Sequence, residues 1–65
     1  MRIELNGTPI ETDAPTLAMF IIEQGVDGTA IATALDGVFV PRDARDGARL
    51  SAGAKVEILS PMQGG

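Results

Sequence analysis

Cysteine, histidine, tryptophan and tyrosine are all missing from this chain, and phenylalanine occurs twice. Without cysteine there are no disulfides and no thiol nucleophile. Without histidine the usual general base at neutral pH and the commonest zinc ligands are also gone. The cytoplasm is the compartment expected for a chain with this composition. Basic residues are sparse as well: five Lys and Arg stand against nine Asp and Glu, for a net charge of -4. The five are scattered, which argues against a nucleic-acid partner, because phosphate binding draws on clustered cations. No apolar run approaches the roughly 20 residues of a membrane helix, and no basic segment followed by an apolar one opens the chain. A soluble protein with no membrane partner is expected.

What remains is 65 residues, 45% of them hydrophobic. That suits one domain, residues 1–65. A chain of this size buries only about 60% of the surface that its unfolded form exposes. The core must be economical, and little room is left for a deep catalytic cavity.

Local signals place the elements. In "MRIELNGTPIET", Ile3 and Leu5 alternate with Arg2 and Glu4. Asn6-Gly7 tolerates the positive φ angles of a tight turn, so the stretch reads as a β-hairpin returning through Ile10 and Thr12. In "DAPTLAMFIIEQGVD", Thr16 is a capping residue and Gly25 a terminator, which predicts a helix over Thr16 to Gln24. Leu17, Phe20 and Ile21 form its apolar stripe; Met19 and Ile22 lie off it. In so small a domain Met19, Phe20 and Ile22 are expected as core or core margin rather than as a docking patch.

A second hairpin follows in "AIATALDGVFVPR", with Asp36-Gly37 at its turn. Alternation leaves open whether Ile31, Thr33 and Leu35 or the intervening alanines face the core. The stretch "RDARDGARLSAGA" reads as a polar loop with room for one irregular turn, and Arg42, Arg45 and Arg49 beside Asp43 and Asp46 read as its solvated charges. "KVEILS" is the last strand, with Val56 and Ile58 pointing one way and Lys55, Glu57 and Leu59 the other.

The order β-β-α-β-β-β gives an α+β fold: a mixed sheet of four to five strands with one main helix on one face. This suits a β-grasp, in which the helix crosses between hairpins and the final strand inserts beside the first. Past that strand, Ser60 to Gly65 ("SPMQGG") carries Pro61, which cannot extend a ladder, and two glycines. A flexible tail of this length is expected to span about 20 Å, enough to enter another protein's active site. At a glycine usage near 7%, two terminal glycines arise by chance in about 0.5% of chains, so the pair alone is a moderate signal.

Three segments together carry a resemblance: "RIELNG", "ALDGVFVPR" and "GAKVEILSPMQGG" look like the ThiS family, the sulfur-carrier proteins of thiamine biosynthesis. The likeness covers essentially the whole chain. It implies a ubiquitin-like β-grasp whose C-terminal glycine is adenylated by a ThiF-type adenylyltransferase using ATP, then converted to a thiocarboxylate that donates sulfur to thiazole synthase, ThiG. The sulfur comes from a donor such as a cysteine desulfurase or persulfide carrier. On this resemblance Gly65 carries the adenylate and then the sulfur as 1-thioglycine, and Gly64, with Gln63 and Met62, enters the partner's active site. The chain is then a protein cosubstrate, not an enzyme, and binds no cofactor or metal of its own. Val38, Val40 and Leu59, with Arg42 from the matching Val-Pro-Arg segment, are the candidate docking surface for the activating enzyme. Two alternatives share the fold: a MoaD-like molybdopterin carrier, whose family usually runs longer, and a ubiquitin-like modifier. A third is a passive β-grasp interaction domain with a frayed end.

Overall fold

A computed structural model describes residues 1–60; the tail positions Met62, Gln63, Gly64 and Gly65 lie outside the described residues. The elements are β1 (Arg2–Leu5), β2 (Thr8–Glu11), α1 (Leu17–Gln24), a short 3-10 helix (Gly28–Ala30), β3 (Ala32–Leu35), β4 (Val38–Val40), a second 3-10 helix (Arg42–Gly47) and β5 (Lys55–Leu59). The five strands form one mixed sheet in the order β2-β1-β5-β3-β4. The last strand sits at the centre, parallel to β1 and antiparallel to β3.

Both hairpins turn where the dipeptides predict. Asn6 and Asp36 adopt φ of 51° and 52° and are each followed by a glycine at positive φ, the double left-handed geometry of a type I′ turn. These turn residues also grip β5. The Asn6 carboxamide accepts from Ile58 N–H at 3.0 Å and donates to Ile58 C=O at 3.1 Å. Asp36 accepts from Lys55 N–H at 2.9 Å through its carboxylate and donates its own N–H to Lys55 C=O at 2.7 Å.

Thr16 caps α1 by accepting from Met19 N–H, and Gly25 ends it at φ 74°, its N–H reaching back to Ile22 C=O. The helix lies against one sheet face through Leu17, Phe20 and Ile21. These pack with Ile3, Val40, Leu50, Ala54 and Val56 in the core. The predicted stripe is the buried one, and Phe20 is fully enclosed, but Met19 and Ile22 are exposed rather than core margin. With only eight residues, α1 covers the sheet with a single stripe, and its remaining apolar side chains face outward.

The register left open in β3 resolves with Thr33 inward at 2% exposure. A threonine is tolerated there because its hydroxyl donates to Val40 C=O at 2.8 Å, which satisfies a polar group that would otherwise cost free energy in the core. The loop beyond β4 is more ordered than its composition suggests. It forms the second 3-10 helix and then joins the start of α1, with Leu17 N–H donating to Ala48 C=O and Leu50 N–H to Pro15 C=O.

Candidate functional site

The central position of β5 governs how the chain is presented at its end. Neighbours on both sides hold the strand, and its last residue, Leu59, pairs with Ala32 at the start of β3. Where β5 ends, β3 pairs with it through Leu59 on one side, and the Asn6 side chain holds Ile58 on the other.

On the sheet face away from α1, one row across the strands runs Phe39, Ala34, Glu57, and the adjacent row pairs Ala32 with Leu59. Phe39 and Leu59 are 66% and 63% exposed. With the two alanines they make an apolar strip at the end of the last strand, the kind of exposed patch that marks a protein contact.

The four residues expected to form one docking surface do not come together. Leu59 lies on this strip. Val40 is in the core at 9% exposure and is no part of any accessible surface. Val38 shares Val40's side of the sheet by alternation, although at the edge strand it remains exposed. Arg42 lies on the helix side, lining a groove of about 260 Å³ with Ile22, Val26 and Thr29. Phe39 is the exposed aromatic side chain on this face, and the sequence did not single it out. The only signal for it was that one residue of Val-Phe-Val must face opposite to the other two.

Arg45 is the second departure. Read as a solvated loop charge, it is buried at 5% exposure. Its guanidinium donates to Thr33 Oγ1 at 3.1 Å, Gly28 C=O at 2.7 Å and Ile31 C=O at 3.0 Å. It thereby ties the second 3-10 helix to the first and to β3. The planar fork suits three acceptors on different segments, and the long stem packs among apolar groups. Nearby, Asp27 accepts from both the hydroxyl and the backbone N–H of Thr29. Those bonds, the hydroxyl's first and then the backbone N–H's, hold its carboxyl below the usual value of 3.8 against an opposing effect of desolvation, with a lesser contribution from the Arg42 charge.

Among the described residues, no group of three or more His, Cys, Asp or Glu is placed to hold a metal ion. No helix among them is long and apolar enough to cross a membrane.

The family model for the ThiS family matches residues 2–65. The crystal structure of a thiamine biosynthesis protein (ThiS) from Geobacter metallireducens superimposes with a TM-score of 0.87 at 26% identity, covering all of both chains. The solution structure of a thiamine biosynthesis protein from the same organism gives 0.81 at 26% identity, over all of this chain and 88% of the other. None of the curated proteins matches the chain at a significant level. The β-grasp expected from the element order is therefore the observed fold, and its last strand lies beside the first. With the family pattern running from the first strand through the terminal glycines, the chain belongs to the ThiS family.

Proposed function

We propose that this protein is a sulfur carrier of thiamine biosynthesis, acted on by partner enzymes, with the Gly65 carboxylate as its working group. The observation that carries the reading is the extent of the family match, which reaches residue 65 and so includes both glycines.

The chemistry follows from what a carboxylate can do. It is a poor electrophile, so a ThiF-type enzyme must first let a carboxylate oxygen attack the α-phosphorus of ATP, with pyrophosphate leaving. The donor's persulfide sulfur then adds to the carbonyl carbon of the glycyl adenylate and AMP departs, leaving an acyl disulfide. A thiol supplied by the donor or the activating enzyme attacks the distal sulfur, forming a disulfide and releasing the thiocarboxylate. Its sulfur is passed on during thiazole formation by ThiG. This chain contributes reach, narrowness and a docking surface, and all of the acid-base and phosphoryl chemistry is the partner's. A cysteine-free chain also offers no internal thiol to intercept the activated carbonyl.

The tail reaches the partner while the domain stays outside. Gly64 has no β-carbon, which permits passage through a narrow channel. The strip formed by Phe39, Leu59, Ala32 and Ala34 is the surface on which the activating enzyme docks, since it lies at the end of the last strand, is apolar, and exposes Phe39 and Leu59 beside the half-buried alanines. Adenylation tests the assignment. A ThiF-type enzyme should catalyse ATP-pyrophosphate exchange when given this chain, and Gly64→Val should abolish the exchange without changing the melting temperature. Full exchange activity with that variant would remove the steric role of Gly64. Absence of exchange with the unaltered chain, on an enzyme active toward another carrier, would overturn the proposal.

A further inference from the structure

Asn6 is the chain's only asparagine, and glycine follows it. That dipeptide is chemically labile as well as turn-forming, because the asparagine carboxamide is an electrophile within reach of the next backbone nitrogen. Gly7 leaves that nitrogen unhindered: it has no β-carbon, and nothing lies within 4 Å of where one would be. Asn6 itself is exposed to water. Other residues are weaker candidates. Gln24 and Gln63 also precede glycines, but closure there needs a six-membered ring, and the Gly25 N–H is already held by Ile22 C=O. Asp27, Asp36 and Asp46 precede glycines too, yet an ionised carboxylate is a poor electrophile.

The fold requires an amide at this labile position. At the other hairpin, Asp36 donates its backbone N–H to Lys55 C=O at 2.7 Å, so its side chain has only to accept from Lys55 N–H. A carboxylate suffices there. The Asn6 backbone N–H goes instead to Val56 C=O at 2.9 Å, so its side chain must both accept from Ile58 N–H and donate to Ile58 C=O. A carboxamide offers the separate donor and acceptor that this takes, and a carboxylate does not. The same two bonds restrain the reaction. Asn6 sits at φ 51° in the left-handed turn, and a five-membered imide ring locks ψ outside that region. The clamp on Ile58 must therefore open before the ring can close.

We propose that Asn6 is a modification site, which deamidates in the folded chain through local opening of its clamp on Ile58, and that the product releases the end of β5. The Gly7 nitrogen, losing its proton to solvent, attacks Asn6 Cγ. The amide nitrogen takes up a proton and leaves as ammonia, and a succinimide joins the two residues. Water then opens either ring carbonyl, restoring the main chain as aspartate or rerouting it through the side chain as isoaspartate. Water is the only co-reactant. Aspartate at this position still accepts from Ile58 N–H, but it sets a second oxygen against Ile58 C=O where a donor stood. Isoaspartate adds a methylene to a two-residue turn and displaces the side-chain group from Ile58. Either product adds one negative charge to a chain already at -4. The inference does not rest on the sulfur-carrier reading.

The test incubates the full chain at neutral pH and physiological temperature beside a peptide of residues 2–10, which has the dipeptide without the clamp. Anion exchange separates the products, and tandem mass spectrometry locates them and distinguishes aspartate from isoaspartate. Conversion is expected at Asn6 before any other residue, and at least about tenfold more slowly in the chain than in the peptide. The slowing should match the hydrogen-exchange protection of the Ile58 amide rather than the greater protection of Val56. The purified products and the Asn6→Asp variant should each exchange the Ile58 amide at least about fivefold faster than the unaltered chain. Four results would overturn the proposal: no conversion at Asn6 of the folded chain, a rate equal to the peptide's, a slowing that matches Val56 and so reports unfolding of the whole molecule, or products in which Ile58 exchanges as before.

Discussion

The side chain of Asn6 completes both backbone hydrogen bonds of Ile58, 52 residues away, accepting from its N–H and donating to its C=O. The β1 to β5 backbone pairing ends at Leu5 and Val56, so Asn6 extends the grip on β5 toward the tail. One residue thus serves two purposes, tolerating the left-handed turn and clamping the last strand.

Asn6→Gly separates those roles, because glycine keeps the turn conformation and removes the clamp. Two exposed hydrogen bonds, each contributing about 0.5–1.5 kcal/mol, offset by easier turn geometry, give an expected loss of about 1 kcal/mol. Chemical denaturation measures it, and hydrogen exchange at the Ile58 amide should quicken more than at Val56. Unchanged exchange at Ile58 would show that the carboxamide does not hold the strand.

Arg45 and Arg42 sit three residues apart in one polar stretch and should respond oppositely to the same conservative change. Arg45→Lys cannot reach Thr33, Gly28 and Ile31 together. It should cost about 1–3 kcal/mol through acceptors left unpaired. Arg42→Lys, on the exposed side of the turn, should change stability by less than about 0.5 kcal/mol. Equal effects in thermal unfolding would contradict the bracing role of Arg45.

The contrast also shows what could be read from the sequence. Asn6-Gly7, Asp36-Gly37, Thr16 and Gly25 act within a few residues of themselves, so their chemistry is visible in one dimension. The β-grasp followed from their order, because a strand after a crossover helix and a second hairpin has a place beside β1. Arg45 was illegible, since its acceptors lie 12 to 17 residues away and its neighbours in sequence are charged. Val40 and Phe39 were exchanged for a related reason. A three-residue strand alternates equally well in either phase, and its pairing with β3 decides which side faces in.

Asp27 gives a prediction about acid. Its carboxyl is held below 3.8 chiefly by the Thr29 hydroxyl, then by the Thr29 N–H. A depressed folded-state value means a stabilising contribution that is present above the unfolded pKa and is lost as pH falls through the folded one. The carboxyl carbon of Asp27 should titrate with a midpoint below 3.8, and the Thr29 amide signal should move with it. A midpoint at or above 3.8 would mean that the turn does not hold the charged form.

Phe39 is the aromatic anchor expected at the docking strip. Phe39→Asp should weaken binding to a ThiF-type enzyme by at least about tenfold, as buried aromatic anchors do at interface centres. The melting temperature should stay nearly constant, because the side chain is 66% exposed in the free protein. Val38→Asp, on the other side of the sheet, should have a much smaller effect. Equal losses from the two variants would argue that the contact is not confined to this face.

The most direct test of the carrier reading is the intact mass of the chain after incubation with ATP, a ThiF-type enzyme and a sulfur donor. The mass should rise by the difference between one sulfur and one oxygen, and fragmentation should place the change on Gly65. An unchanged mass, in a mixture that converts another carrier, would contradict the account.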